Sequence, residues 1–514
     1  MKKYGLAILG LVGFAAITVH AEDESTCERL MQLHPKDTRI TLAQSIVPAP
    51  TWEAPTSLFS ALAGGHVLVS VPLCRVTAVI EHEIGIEVWL PQNWNGRFEG
   101  VGNGGLTGAI NYPSMATALS AGFATASTDT GHITDKDVFQ SDWIAGHRQR
   151  VIDFTYRAHH LLAERAKDII TAFYSRPPKH NYFSGCSSGG WEGLTEAQRY
   201  PTDYDGIIAG APAINYVGAT TRGMVLQQWA AKNPQGNLDG AVSRIMEQAA
   251  VARCDAQDGL EDGLVSDPLS CHFDPAELAC KAGQTSGCLN PDQIERARRT
   301  FGPLRSPGGL KLYPGPTWGS PAFFGLPGTR RPAPASAPPE NPLIAMAEAL
   351  TGSKVSWTPE TFDPDRDLVP LSKAVGADIN SMNPDLKAFQ ARGGKLILYH
   401  GGADPGLSPY NTIDYLESVE QRLGKSRVAS FVRLYLVPGM GHCGGGTGPN
   451  VFDSMTPLEH WTEHGDAPRE IVASRPATGS AAARSRPLCP YPQLAHYRGA
   501  GSIDEAVNFE CKSP

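Results

Sequence analysis

The sequence has 514 residues, of which 41% are hydrophobic and 8% aromatic, and its formal net charge is −8. This is an ordinary globular composition, and no cluster of Lys and Arg interrupts the mild negative charge. We therefore exclude nucleic acid and anionic membranes as partners. A chain of this length exceeds a usual single domain, so we expect one large core that carries an inserted second domain.

Residues 1–21 have the pattern of a secretory signal peptide. Lys2 and Lys3 precede a short apolar run at residues 6–19, and small residues stand where cleavage is expected. That run is too short for a membrane anchor, and no later segment is long and apolar enough to span. We expect a secreted or periplasmic chain that begins near Glu22. All ten cysteines lie beyond this point, which predicts disulfides.

Predicted strands alternate with predicted helices over much of the chain, and polar or glycine-rich loops follow the strands. This alternation predicts a mostly parallel α/β sheet, with ligands bound at the carboxyl ends of the strands. The predicted strands are residues 84–90, 97–101, 122–128, 179–185, 204–209, 395–400 and 431–437, and the predicted helices are residues 151–174, 191–199 and 408–423.

The alternation fails between residues 238 and 370, a region that holds four cysteines, an acidic loop and a proline-rich stretch at 315–342. We interpret this region as a lid domain inserted between residues 22–237 and 371–514, which together form the catalytic domain. The alternative is a long disordered loop, but the cysteines and the large apolar residues argue against it for most of the region.

A G-x-S-x-G motif from Gly185 to Gly189 predicts the nucleophile. A predicted strand precedes it and a predicted helix follows, which is the setting of a serine held on a sharp turn. The two glycines remove side chains that would clash in so tight a turn. Ser187 is the candidate nucleophile, and the alternative is a plain surface turn.

An acyl-transfer serine needs a base, and the base needs an acid to orient it. Asp404 follows the predicted strand at 395–400 and His442 follows the one at 431–437, in the expected chain order Ser, Asp, His. Each residue alone could be an ordinary loop residue. His400 and Asp414 are rivals, but we expect His400 to pack or line the pocket and Asp414 to face solvent.

Two cysteines stand beside the proposed nucleophile and base. Cys186 precedes Ser187 and Cys443 follows His442. A disulfide requires Cα atoms within about 7 Å, so a bond between these cysteines would make nucleophile and base neighbours. The alternative is that each cysteine pairs elsewhere.

Two backbone N–H groups are expected to stabilise the oxyanion. One belongs to Ser188, directly after the nucleophile, and the other comes from an early glycine loop at residues 102–105. Gly104 is the preferred donor and Gly105 is nearly as suitable. The alternative is a turn without a catalytic role.

The loop at residues 254–264 holds Asp255, Asp258 and Asp262 among glycines. The carboxylates repel one another without a cation, and calcium prefers carboxylate and carbonyl oxygens. The spacing differs from that of an EF-hand. The loop alone is equally consistent with a calcium site and with a solvated acidic loop.

These motifs together resemble the tannase and feruloyl esterase family: Gly-Cys-Ser-Ser-Gly-Gly at 185–190, Gly-Gly-Ala-Asp at 401–404, Gly-His-Cys at 441–443 and the acidic loop. The resemblance implies an α/β-hydrolase fold with a large lid, and a structural Ca²⁺ bound by Asp255, Asp258, Asp262 and the carbonyls of Leu260 and Leu264. It further implies the disulfides Cys27–Cys74, Cys186–Cys443, Cys254–Cys271, Cys280–Cys288 and Cys489–Cys511.

The resemblance implies a serine esterase that acts on small esters of phenolic acids, feruloyl- or galloyl-type, through an acyl-enzyme on Ser187. The family also includes a mono(2-hydroxyethyl) terephthalate hydrolase, which has glutamate after its nucleophile and a lid arginine against the substrate carboxylate. This chain has Ser188 there, and residues 318–328 include Phe323 and Phe324 but no arginine; Arg330 and Arg331 lie just beyond.

Two other functions are alternatives to the phenolic esterase. One is hydrolysis of synthetic aromatic monoesters such as mono(2-hydroxyethyl) terephthalate. The other is a non-catalytic, calcium-stabilised binding protein that keeps the hydrolase fold, against which the complete triad argues. The oligomeric state is left open.

Overall fold

The structure is a computed structural model that describes residues 26–306, 308–309, 311–320, 341–477, 479 and 482–513. The predicted signal peptide lies outside these residues, as do Phe323, Phe324, Arg330 and Arg331. Within the described residues, no helix is both long enough and apolar enough to cross a membrane.

A nine-stranded sheet forms the centre of the molecule, with the strand order β1-β2-β3-β5-β4-β6-β7-β8-β9. The pairings of β1 with β2, of β2 with β3 and of β3 with β5 are antiparallel, and the strands from β5 onward run parallel to one another. The strands are β1 (Thr38–Ile46), β2 (Leu73–Ile80), β3 (Ile84–Pro91), β4 (Arg97–Val101), β5 (Ala124–Thr128), β6 (His180–Cys186), β7 (Gly206–Gly210), β8 (Lys395–Gly401) and β9 (Val432–Val437).

Helices cover both faces of the sheet, because successive strand residues point to opposite sides and both sides are apolar. In β6, Phe183 packs into the larger cluster with the helices at residues 158–174, 188–199 and 409–423, while Tyr182 packs on the other face with the helices at residues 112–120 and 455–464. The α-helices are α1 (Leu58–Leu62), α2 (Tyr112–Ser120), α3 (Arg148–Ile152), α4 (Ala158–Tyr174), α5 (Ser188–Arg199), α6 (Tyr216–Lys232), α7 (Gly240–Cys254), α8 (Pro291–Phe301), α9 (Pro342–Thr351), α10 (Pro364–Ile379), α11 (Lys387–Ala391), α12 (Pro409–Leu423), α13 (Lys425–Val428) and α14 (Met455–His464).

A long insertion separates β7 from β8 and contains the predicted lid, residues 238–370. Its described residues hold helices α6 to α11 and one short strand pair, Leu304–Arg305 with Lys311–Tyr313. Leu343 and Met346 of α9 and Leu371 of α10 pack with Trp191 of α5 in one buried cluster. This contact seats part of the insertion directly on the helix that follows Ser187.

Five disulfides join the ten cysteines, and none is free. The pairs are those that the family resemblance implies: Cys27–Cys74, Cys186–Cys443, Cys254–Cys271, Cys280–Cys288 and Cys489–Cys511, with Cα separations from 4.8 to 5.9 Å. In the part of the chain that the structure describes, three further two-stranded sheets lie outside the central one: Trp52–Glu53 with Leu68–Val69, Ile471–Arg475 with Arg484–Leu488, and Leu494–Tyr497 with Phe509–Lys512.

The predicted helix at 151–174 is interrupted in the structure. α3 ends at Ile152, a π-turn covers Asp153–Arg157, and α4 begins at Ala158. Hydrophobic periodicity does not reveal this break, because the apolar face continues through Phe154, which is buried. The antiparallel strands β1 and β2 were not among the predicted elements.

Candidate active site

Ser187 lies on the sharp turn between β6 and α5, with φ +64° and ψ −118°. Its N–H donates to the carbonyl of Gly210 at 2.9 Å, which ties the turn to the end of β7. A Cβ at Gly185 would lie 2.5 Å from the carbonyl carbon of Gly189. A Cβ at Gly189 would lie 2.8 Å from the carbonyl oxygen of Asn103. Both flanking positions therefore require glycine, as the G-x-S-x-G pattern predicts.

Asp404 and His442 meet at the carboxyl ends of β8 and β9. The Nδ1 atom of His442 lies 2.6 Å from Oδ2 of Asp404, which is fully buried. The other carboxylate oxygen, Oδ1, accepts the N–H groups of Gly406 at 2.8 Å and Leu407 at 3.0 Å. These contacts hold the carboxylate in one orientation and assign the proton on His442 to Nδ1.

His400 also contacts Asp404, with its Nε2 atom 3.2 Å from Oδ2. It is fully buried, and its Nδ1 atom lies 2.8 Å from Oγ1 of Thr412. Burial disfavours the charge on Asp404, but the hydrogen bonds from His400 and His442 outweigh burial and hold its pKa below the ordinary range. We expected His400 only to pack or line the pocket. Asp414 is exposed, as expected, and pairs with Lys311 at the surface.

The Cys186–Cys443 disulfide joins the residue before Ser187 to the residue after His442. The Cα atoms of the two cysteines are 5.9 Å apart. The bridge therefore draws the end of β6 and the loop after β9 together, so that all three candidate triad residues lie at the same edge of the sheet.

The loop at residues 102–105 lies against the start of α5. Gly102 donates its N–H to the carbonyl of Ser184 at 2.9 Å, and Asn103 donates its N–H to Oε2 of Glu192 at 2.8 Å. Within the described part of the chain, the N–H groups of Gly104 and Ser188 donate no hydrogen bond. These are the two donors that the sequence suggests for the oxyanion, and both lie next to the turn that carries Ser187.

The side chains of Ser188 and Glu192 hold this loop, which sequence reasoning missed. The hydroxyl of Ser188 donates to the carbonyl of Gly105 at 2.7 Å. Oε2 of Glu192 lies 3.0 Å from Nε2 of His159, and both residues are buried. A glutamate on a predicted helix carries no local signal that it faces inward, and His159 lies on a different helix.

The acidic loop follows α7, and backbone hydrogen bonds hold its carboxylates. Asp255 accepts the N–H groups of Asp262 at 3.0 Å and Gly263 at 2.8 Å. Asp258 accepts the N–H of Leu260 at 2.9 Å, and Asp262 accepts that of Leu264 at 3.1 Å. Burial raises the pKa of Asp258 above its ordinary value.

Two arginines contact the third carboxylate of this loop, and neither was anticipated from the sequence. Arg486 pairs with Oδ2 of Asp262, and Arg484 lies 3.7 Å from the same atom. The hard oxygen donors suit Ca²⁺. Among the described residues, however, no three acidic, His or Cys side chains converge as a metal site.

The fold and this site define a carboxylic ester hydrolase with the α/β-hydrolase fold. The family model for tannase and feruloyl esterase matches residues 68–323 and 353–512, and the chain belongs to that family. It is 34% identical to the mono(2-hydroxyethyl) terephthalate hydrolase of Piscinibacter sakaiensis, over 92% of this chain and 89% of that one.

Fungal feruloyl esterases are similar at comparable levels. A probable feruloyl esterase B-2 of Aspergillus flavus is 30% identical, over 91% of this chain and 93% of that one. The crystal structure of feruloyl esterase B from Aspergillus oryzae superposes with a TM-score of 0.84 at 26% identity, over 95% of this chain and all of that one.

Proposed function

We propose that the protein is an exported serine esterase that hydrolyses esters of phenolic aromatic acids through an acyl-enzyme on Ser187. The observation that carries the proposal is the short contact of His442 with the buried carboxylate of Asp404, 2.6 Å long. The Cys186–Cys443 bridge links this pair to the turn that presents Ser187. Five disulfides in one chain support export to an oxidising compartment.

In the proposed acylation step, the hydroxyl oxygen of Ser187 attacks the ester carbonyl. Asp404 holds Nδ1–H of His442, so Nε2 takes the serine proton and then delivers it to the leaving alcohol. The N–H groups of Ser188 and Gly104 stabilise the negative charge on the carbonyl oxygen. Asp404 stabilises the imidazolium that forms in between.

Deacylation repeats the same chemistry with water as the nucleophile. Nε2 of His442 takes a proton from water as its oxygen attacks the acyl carbonyl, and the proton returns to Ser187 when the acid leaves. The products are the free acid and the regenerated serine. Asp404 remains ionised throughout, because its two histidine contacts hold its pKa low.

The similarity to named feruloyl esterases supports a phenolic acyl group, and the similarity to a mono(2-hydroxyethyl) terephthalate hydrolase supports a second candidate. The side chain of Ser188 distinguishes between these two candidate substrate classes. Its short side chain is 4% exposed and donates to Gly105, so it presents no charged group to the substrate. This neutral surface favours an uncharged phenolic ring over a terephthalate carboxylate.

The proposal includes a structural Ca²⁺ in the acidic loop. The side chains of Asp255, Asp258 and Asp262 and the carbonyls of Leu260 and Leu264 would hold the ion, which adds stability and supplies no group to the reaction. The ion would compete with Arg484 and Arg486 for Asp262.

The substrate class is tested by comparing kcat/KM for methyl ferulate, methyl gallate, mono(2-hydroxyethyl) terephthalate and p-nitrophenyl acetate, with Ser187→Ala as the blank. We expect methyl ferulate or methyl gallate to exceed the terephthalate monoester by at least tenfold. A preference for the terephthalate monoester would overturn the phenolic assignment and leave the serine mechanism standing. If the wild type hydrolyses none of these esters faster than the Ser187→Ala blank, the assignment of the protein as an esterase is contradicted.

A further inference from the structure

The peptide group between Asn103 and Gly104 carries the N–H that we assign to the oxyanion hole. Its carbonyl oxygen, on Asn103, accepts the N–H of Gly189 at 2.9 Å. In a trans peptide the C=O and N–H bonds point in opposite directions. Because Gly189 holds the carbonyl, the direction of the N–H of Gly104 depends on where residue 103 is anchored.

Glu192 provides that anchor on the other side of residue 103. Its Oε2 atom accepts the N–H of Asn103 at 2.8 Å. A Cβ at Gly102 would lie 2.9 Å from the same Oε2 atom and 2.7 Å from Cα of Gly189. The loop thus approaches the helix as closely as glycine allows, and residue 103 is held through both its N–H and its C=O by residues of α5.

The burial of Glu192 is costly and needs a reason. The residue is 3% exposed, and its other oxygen, Oε1, has no hydrogen-bond partner within the described residues. A buried carboxylate is strongly disfavoured unless it is paired. Its neighbours are the N–H of Asn103 and Nε2 of His159, 3.0 Å away. A carboxyl group buried with one backbone N–H as its hydrogen-bond partner implies that holding this N–H matters.

We infer that Glu192 is a positioning residue for ester hydrolysis: it fixes residue 103 so that the N–H of Gly104 is aimed at the oxyanion. The inference rests on the proposed serine mechanism. It predicts an effect on the transition state, where the negative charge develops, and little effect on binding of the uncharged ester.

The test compares two conservative variants that differ in reach. Glu192→Gln keeps an oxygen at the position that accepts from Asn103, whereas Glu192→Asp keeps the charge but withdraws the carboxylate by one methylene. We expect Glu192→Gln to retain at least a third of the wild-type kcat. We expect Glu192→Asp to lose about ten- to a hundredfold in kcat with KM within about twofold, since a 1 Å misplacement can cost about a hundredfold.

Glu196 is the matched control, one turn further along α5. It is similarly buried, at 1% exposure, and neither of its carboxyl oxygens has a hydrogen-bond partner within the described residues, so it does not hold the oxyanion loop. We therefore expect both Glu196→Asp and Glu196→Gln to have kcat values similar to that of the wild type. All variants are compared per active site, titrated with a phosphonate, so that unfolded protein does not count as lost activity.

An arylboronic acid, which forms a tetrahedral adduct on the serine, provides a second readout. Its affinity is expected to fall in Glu192→Asp by the same factor as kcat/KM, while inhibition by the free product acid stays unchanged. The inference is overturned if folded Glu192→Asp has the wild-type kcat, or if Glu192→Gln has a lower kcat than Glu192→Asp. It is also overturned if only KM changes in Glu192→Asp, or if Glu196→Asp loses as much kcat as Glu192→Asp does.

The test also separates this inference from the serine mechanism on which it rests. Ser187→Ala that retains esterase activity would overturn the mechanism itself. An inactive Ser187→Ala variant together with a fully active Glu192→Asp variant would overturn only the role of Glu192.

Discussion

The Cα atoms of Cys186 and Cys443 lie 5.9 Å apart across 257 residues of sequence. Through this bridge the covalent chain itself links the residue before the candidate nucleophile to the residue after the candidate base. Most of a triad's geometry depends on how sheet strands pack. Here one bond restrains Ser187 and His442 directly. Removing this bond can therefore show whether it only stabilises the fold or also maintains the geometry of the active site.

The double variant Cys186→Ala, Cys443→Ala should lose both stability and activity. The chain-entropy model gives about 5 kcal/mol for a loop of this length. Drift of Ser187 against His442 by about 1 Å should lower kcat by about a hundredfold. We propose to measure kcat well below the melting temperature of the variant, where it is folded.

The control removes a disulfide that does not adjoin the triad, Cys489–Cys511, which spans 22 residues. Cys489→Ala, Cys511→Ala should be less stable than wild type and keep its kcat. If the folded Cys186–Cys443 variant also keeps wild-type kcat, the bridge only stabilises the fold.

His132 should make the stability of the protein depend on pH. Its ring stacks on Trp143 with centroids 3.7 Å apart, and Nε2 donates to the carbonyl of Leu106 at 3.0 Å. Burial lowers its pKa from an ordinary value near 6.5 to about 4. The unfolded chain therefore takes up a proton first as the pH falls, and the free energy of unfolding drops between about pH 6.5 and pH 4.

Because protonation of His132 is linked to unfolding, the free energy of unfolding should fall by about 2 kcal/mol between pH 7 and pH 5. His132→Gln keeps an N–H donor for the carbonyl of Leu106 and removes the titration. Urea unfolding at the two pH values should show the wild type losing about 2 kcal/mol more than the variant. Equal losses in the two proteins would show that His132 is not held neutral by the fold.

The acidic loop should bind calcium and gain stability from it. A ligand present at a hundred times its dissociation constant adds about 2.7 kcal/mol to the native state. We expect elemental analysis to find about one calcium per chain, and a chelator to lower the melting temperature by several degrees. Asp258→Asn should remove both effects.

Asp267 offers the matched control for calcium, because it lies just beyond the loop and accepts the N–H of Leu269 at 3.1 Å. Asp267→Asn should bind calcium as the wild type does. Calcium-free protein with a melting temperature that ignores the chelator would show that Arg484 and Arg486 already satisfy the loop.

The sequence predicts the parts of this site that have strong local signals. Residues 97–101 were predicted as a strand and are β4, and Asp404 and His442 follow β8 and β9 as expected. These predictions succeed because strands that are buried on both faces are continuous apolar runs, and the loops after them carry the polar residues.

The parts that the sequence does not predict depend on distant residues. Arg486 pairs with Asp262 across 224 residues. Glu192 accepts the N–H of Asn103 across 89 residues. His400 has the local pattern of a core residue, and only the folded chain shows that it shares a carboxylate with His442. Periodicity reports which face is buried, and it carries no information on which buried polar groups meet.

Ser187 is the proposed nucleophile, and labelling with a fluorophosphonate tests this role most directly. This role predicts one adduct per chain by intact mass, located by peptide mapping on Ser187. It also predicts that Ser187→Ala is unlabelled and loses at least a thousandfold in kcat. An adduct on another residue, together with a Ser187→Ala variant that keeps more than a few per cent of wild-type activity, would contradict it.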